Sequence, residues 1–199
     1  VSPDRNRNRN GLSRSSLKIT NSESETRRWI KDQSDIYNRK QSAAIATHRL
    51  KKWSGESSEQ AALAEVAKLL DSTWTLGRVI DGDTIVIESI FPRFEETVRL
   101  LSINTPEQYQ SGYSEASDAI ESILRGRVIR LEFEEAGRPT RDRFGRLLAF
   151  IFVGDTLVNY EIVLQGWSGF YDAFGMGRYA EALKFAEQEA REKKRGLHR

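Results

Sequence analysis

Apolar positions change their period along the chain, and the changes mark its parts. Residues 1–21 (VSPDRNRNRNGLSRSSLKITN) hold almost nothing to bury. A basic, low-complexity stretch of this kind is expected to stay disordered. Over 22–53, Trp29, Ile30, Ile36, Tyr37, Ala43, Ala44, Ile45 and Leu50 form a sparse helical stripe, and Ser22 and Glu25 have capping-box spacing. A second helix is predicted after Ser57 or Ser58, with Ala62, Leu63, Val66, Leu69 and Leu70 at helical spacing. Both helices are too polar to fold alone. They are expected to pack on the rest of the chain or on a partner, including a second copy.

From Trp74 the period shortens to two. WTLGRVIDGDTIVIESI predicts a hairpin turning at Asp81-Gly82. ETVRLLSI (96–103) predicts a third strand, stopped by Pro106, which has no N–H to donate. Ser114 to Leu124 predicts a helix with Ala116, Ala119, Ile120, Ile123 and Leu124 inward, ended by Gly126. RVIRLEFE (127–134) and RLLAFIFV (146–153) predict two more strands around the turn-rich loop 137–145. Leu157–Gly166 and Arg178–Lys194 predict helices, the second capped by Gly196. Three strands, a helix, two strands and closing helices predict a mainly β, α+β fold: a small five-stranded barrel with three helices. The expected division is a basic tail (1–21), a helical extension (22–71) and a folded domain (72–199).

Composition removes whole classes of chemistry. The 199 residues include no Cys and two His, His48 and His198. Disulfides, thiolate metal sites and cysteine catalysis are excluded, and a His-based triad has little material. Any metal must take oxygen ligands, which points to Ca²⁺ or Mg²⁺. No run of about 18 apolar residues encodes a membrane span, and the polar start carries no apolar run of the secretory type. Lys and Arg total 31 against 29 Asp and Glu, a net charge of +2. The balance is uneven: 14 basic against 9 acidic residues up to Asp71 give +5, and the remaining 17 against 20 give −3.

Charged clusters sit at strand ends and in loops: Asp81-Gly82-Asp83-Thr84, Arg99, Asn104-Thr105-Pro106-Glu107 and Asp142-Arg143-Phe144-Gly145-Arg146. Singly, each reads as an ordinary turn, edge or strand stop. Together they supply what phosphodiester hydrolysis asks for. Asp83 and the oxygens near Asn104 and Thr105 are candidate donors to a hard cation. Glu107 can orient or deprotonate a water. Arg99 and Arg146 can clamp a phosphate bidentately.

Six segments, in order, resemble the staphylococcal nuclease (thermonuclease) family: VIDGDTIVI (79–87), VRLLSINTPE (98–107), SEAS (114–117), DRFGRLLAFIF (142–152), LVNYEIVLQGW (157–167) and KKRGLHR (193–199). The resemblance spans about residues 74–198. It implies a five-stranded OB-fold barrel with three helices. It also implies Ca²⁺-dependent hydrolysis of single-stranded or frayed DNA and RNA, leaving 3′-phosphate ends. By the same resemblance, Asp83 is a calcium ligand, Thr105 adds its backbone carbonyl, and Asp81 lies just behind them. Glu107 is the general base or water-positioning group, and Arg99 and Arg146 hold the scissile phosphate. Phe170 and Tyr171 lie where the family has aromatics facing the base, and Tyr171 is the stacking candidate. Members of the family are often secreted.

The chain departs from the family's pattern at two site positions. The usual Asp-Thr-Pro-Glu motif begins here with Asn104, whose amide oxygen can still coordinate Ca²⁺ but lacks the charge that tunes calcium affinity. Phe144 stands where a Tyr hydroxyl usually meets the nucleotide phosphate, so stacking or packing remains without the hydrogen bond. The alternative to a nuclease is a non-catalytic OB domain that binds nucleic acid or protein. Intact Glu107, Arg99 and Arg146 favour the enzyme, because a binding module has no need of that glutamate beside two arginines.

Overall fold

A computed structural model describes residues 22–51, 66–70, 72–91, 93–137, 139–173 and 177–199. The tail, most of the second predicted helix and Phe174 lie outside these residues. Among the described residues, no helix is long and apolar enough to cross a membrane.

Helix α1 (Glu23–Lys51) is followed by a helical segment at 66–70. The sheet begins with β1 (Trp74–Asp81), β2 (Thr84–Ser89) and β3 (Phe94–Leu100), and the short β4 (Ile103–Asn104) follows. Then come α2 (Tyr113–Leu124), β5 (Arg130–Glu132), β6 (Thr140–Arg141), β7 (Leu147–Val153) and β8 (Thr156–Leu157). Last are α3 (Val158–Leu164), β9 (Gly169–Phe170), α4 (Ala180–Glu192) and a 3₁₀ turn at Gly196–His198.

The main sheet has seven strands, not the five expected. Its path is β1-β2-β3-β7-β5, with β6 and β8 both pairing to β7. Their two-residue lengths give no periodic pattern to read. The ladder does not close. Its ends meet at one bridge, Trp74 with Ile129, where the Ile129 N–H donates to the Trp74 carbonyl at 2.8 Å.

The third predicted strand is really two. Ser102 takes φ 62°, so the chain turns after Leu100 and restarts as β4, which pairs with β9. The fourth shrinks to Arg130–Glu132. The cap expected at Gly196 falls to Lys194 (φ 50°), with the Arg195 N–H returning to the Ala190 carbonyl at 2.8 Å. Gly196 instead lies against Gly166, so close that a Cβ would meet backbone at 2.5 Å.

Ile85, Ile87, Val98, Leu100, Phe133, Phe150 and Phe152 are fully buried with Ile120 and Leu124 of α2 and Tyr179 before α4. Each such side chain contributes about 1.5–3 kcal/mol by leaving water. That core holds β1–β3 and β7 at fixed register, so Arg99 stands across from Thr84 on one side and from Leu148 on the other.

Helix α1 covers another flank. Its buried positions are Thr26, Ile30, Ser34 and Tyr37, a stripe of helical spacing but half polar, which hydrophobicity alone does not reveal. Ile36, expected in the stripe, is exposed. Ser34 donates to Glu132 at 2.6 Å, and the Tyr37 hydroxyl accepts the Phe133 N–H at 2.9 Å. Glu132 is fully buried and also takes Tyr179 at 2.7 Å, Arg178 at 3.2 Å and Arg130. A buried carboxylate is tolerated only with such a full complement of partners. The buried stripe of α1 is therefore used within the chain.

Candidate active site

Three loops and a strand meet at a cleft of about 710 Å³. It is lined by Asp81, Asp83, Thr84, Arg99, Asn104, Glu107, the 141–146 loop and Tyr171. The turn between β1 and β2 brings Asp83, β3 brings Arg99, the end of β4 brings Asn104, and the segment after it brings Glu107.

Gly82 makes this approach possible. A Cβ there would fall 2.7 Å from Ala116 Cβ and 2.9 Å from Thr105, so only glycine lets the turn sit against α2. The Asp81 carboxylate accepts the Asp83 N–H at 3.0 Å, which shapes the turn.

Asp83 and Arg99 form the floor. They are 4% and 5% exposed. Arg99 Nε lies 3.1 Å from Asp83 Oδ1, which also accepts the Thr84 hydroxyl at 3.0 Å. Asp83 Oδ2 accepts the Thr105 N–H at 2.9 Å. Burial pushes the Asp83 carboxyl up to about 6, against the opposing pull of Arg99 and these hydrogen bonds. Burial likewise lowers Arg99 from its ordinary value, against the pull of Asp83. For both partners burial opposes the charged form, and their mutual attraction favours it.

Arg99 is largely committed. Its Nη1 donates to the carbonyls of Leu100 (2.6 Å) and Ile103 (2.9 Å), and Nη2 to Asn104 Oδ1 at 3.0 Å. Nε faces Asp83 as an ion pair, and three of the five N–H donors are hydrogen-bonded to protein. Among the described residues, one Nη2 proton of Arg99 has no acceptor. Strand β3 ends beside carbonyls that turn inward, and they claim the guanidinium first.

Arg146 is held differently. Asp142 accepts the Arg146 Nε at 2.7 Å and the backbone N–H groups of Phe144 (2.9 Å) and Arg146 (3.0 Å). Arg141 braces the same loop from outside through Glu96 and the Gly145 carbonyl, at 2.8–3.0 Å. Arg146 Nη1 reaches Thr84 Oγ1 only at 3.4 Å, which leaves its terminal nitrogens turned to the cleft floor. Phe144 is 68% exposed, with the guanidiniums of Arg143 and Arg146 at 4.7 and 5.4 Å from its ring centre. It is therefore presented at the rim rather than packed in the core. Tyr171 lines the cleft at 37% exposure, its N–H held by the Ser102 carbonyl at 3.0 Å. Trp167 and Phe170 pack against the core instead.

Glu107 is exposed, lines the cleft and has no bonded partner for its carboxylate among the described residues. Its backbone is fixed, with the N–H on Gln110 Oε1 at 2.9 Å.

The possible metal donors are all oxygens. Each oxygen of Asp83 has two lone pairs, and Oδ2 has one unfilled by the bonds above. Thr105 Oγ1 is buried without a hydrogen-bond partner among the described residues. This donor set fits a hard cation that keeps several waters, and it is thin. Among the described residues no group of three or more His, Cys, Asp and Glu could hold a metal.

Residues 97–199, just over half the chain, match the family described as staphylococcal nuclease homologue. The chain belongs to the staphylococcal nuclease family. The thermonuclease of Staphylococcus hyicus is 26% identical over 133 residues, 64% of this chain and 76% of the relative. That of Staphylococcus intermedius is 31% identical over 129 residues, 61% and 73% of the two. Endonuclease YncB of Bacillus subtilis is 32% identical over 127 residues, 60% of this chain and 58% of the relative.

Within this nuclease-family cleft, several supporting residues escape a reading of the sequence. Asp142 and Arg141 had a local cue, since Asp with Gly three residues on is a turn signature. Ser168 had none. Its hydroxyl accepts the Asn104 N–H at 2.8 Å and lies 3.0 Å from the Asn104 carbonyl across 64 residues of sequence. Asn159 is likewise silent in sequence, yet its buried amide ties the Ile151 N–H to the Leu101 carbonyl.

Proposed function

We propose that this chain is a metal-dependent nuclease that hydrolyses phosphodiester bonds of single-stranded or frayed DNA or RNA. The observation that carries the proposal is one cleft holding Arg146, the buried Asp83–Arg99 pair and a Glu107 carboxylate with no partner among the described residues. Relatives named thermonuclease and endonuclease support it. The catalytic unit is residues 72–199, read as a partly open barrel of the OB type. Helix α1 lies over its Glu132 flank.

Glu107 holds the attacking water and accepts its proton. Arg146 donates to two oxygens of the phosphate, and the spare Nη2 proton of Arg99 to one. Both meet charge as it grows on the phosphoryl oxygens, where fixed donors act most strongly. Asp83, the Asn104 amide and the Thr105 carbonyl would hold Ca²⁺, which supplies Lewis-acid polarisation of a phosphoryl oxygen when bound. Phe144 and Tyr171 offer ring faces to unpaired bases, a mode of contact tolerant of sequence.

The test is cleavage of single-stranded DNA with Ca²⁺, repeated with Mn²⁺ and Mg²⁺. Glu107→Gln should lower kcat by roughly 10²–10⁴-fold, and Arg146→Ala by about 10²–10³-fold. Binding without cleavage under all three cations would assign the chain to the non-catalytic alternative.

A further inference from the structure

Asn104 occupies a position that the nuclease reading gives to a metal ligand, yet its amide oxygen is already engaged. Arg99 Nη2 donates to Oδ1 at 3.0 Å. A guanidinium has donors only, so the amide can face it in just one sense. The Nδ2 protons are thereby directed away from Arg99, and among the described residues they have no partner. The main chain of Asn104 is pinned on both sides by the Ser168 hydroxyl, at 2.8 and 3.0 Å. The residue itself is exposed and lines the cleft. It is a fixed, neutral donor beside the Nη2 proton of Arg99 that has no acceptor among the described residues.

Charge makes the same point. The cleft lining carries four carboxylates and four guanidiniums, so it is formally neutral. A carboxylate at position 104 would make it negative and repel a phosphodiester until a cation neutralised it. With an amide there, that repulsion is missing.

We infer that Asn104 positions Arg99 and donates to the substrate phosphate, so that this cleft binds single-stranded nucleic acid without the metal. The inference deepens the nuclease reading and rests on it for the identity of the ligand. Metal is then required for the chemical step and not for capture of the strand.

The experiment is fluorescence anisotropy of a labelled, phosphorothioate-linked single-stranded oligonucleotide, in chelator and in saturating Ca²⁺. Wild type should bind with Kd values within about threefold of each other in the two conditions. Asn104→Asp should bind at least about tenfold more weakly in chelator, a factor equal to about 1.4 kcal/mol, and recover in Ca²⁺. Asn104→Ala removes the donor without adding charge, so its loss of about three- to tenfold should be equal in both conditions. Wild-type binding that needs Ca²⁺ would overturn the inference. So would Asn104→Asp or Asn104→Ala binding as tightly as wild type in chelator. Metal-free binding with no cleavage under any cation would refute the nuclease reading alone. Cleavage with no metal-free binding would refute this inference alone.

Discussion

Replacing Gly82 by Ala is the sharpest test of how the site is assembled. The added Cβ would lie 2.7 Å from Ala116 Cβ and 2.9 Å from both Cγ2 and Oγ1 of Thr105. Carbon pairs rest at about 3.5–4.0 Å, so the overlap is about 1 Å on two sides. Neither obstacle is a flexible tip. Ala116 is fully buried on α2, and the Thr105 N–H is bonded to Asp83. Overpacking of this kind costs about 1–3 kcal/mol. At this chain length that is a fall in Tm of roughly 2–12 °C. Moving Thr105 also loosens Asp83, and a misplacement near 1 Å can cost on the order of 10²-fold in rate. Thermal melting and kcat/KM on single-stranded DNA measure both effects. Ala116→Gly opens the tighter contact, so the double variant should lose at least about 1 kcal/mol less than the sum of the singles. A Gly82→Ala protein that melts and turns over like wild type would refute this account of the close approach, and so would strict additivity.

Asp83 makes a prediction about pH. Its carboxyl is held up to about 6 in the folded protein against an ordinary value of 3.8. The native state keeps this proton where the unfolded chain has lost it, so the benefit is full below about pH 4 and lost as pH rises through 6. In chelator, wild type should lose about 2–3 kcal/mol relative to Asp83→Asn between those limits. Urea denaturation at several pH values would show a constant difference if the reasoning is wrong. Tyr37→Phe leaves the Phe133 N–H unpaired under α1 and should cost about 1–3 kcal/mol; an unchanged urea midpoint would count against docking of α1 there. Phe144→Ala and Tyr171→Ala should each weaken short single strands by about 1–3 kcal/mol, measured by anisotropy in chelator. Unchanged affinity in either variant would remove that ring from the binding surface.

Much of the site was legible because its residues lie in short runs with local meaning. The Asp81-Gly82 turn, the stop at Pro106 and the 142–146 loop each follow from turn chemistry. Their candidate residues Asp83, Asn104, Glu107 and Arg146 line one cleft. What escaped reading was whatever depends on distant partners. Strand β4 separates from β3 because Ser102 turns left-handed, although ETVRLLSI reads as one unbroken strand. The cap moved from Gly196 to Lys194 because Gly196 was needed against Gly166. The polar half of the α1 stripe, Thr26 and Ser34, is buried because Ser34 faces Glu132, 98 residues away.

The sequence by itself determined the class of chemistry and the inventory for it. With no Cys and scarcely any His, only carboxylates, amides and arginines remained, and local pattern placed them at strand ends. The tertiary structure alone decided how each is used. It spent three of the five donors of Arg99 on protein hydrogen bonds, faced its Nε with Asp83, left Arg146 turned to the cleft, and set the Asn104 oxygen on a guanidinium. Hydrogen-bond capacity is a property of residue type and can be counted in a sequence. How that capacity is shared depends on which groups the packed core brings within about 3 Å of one another.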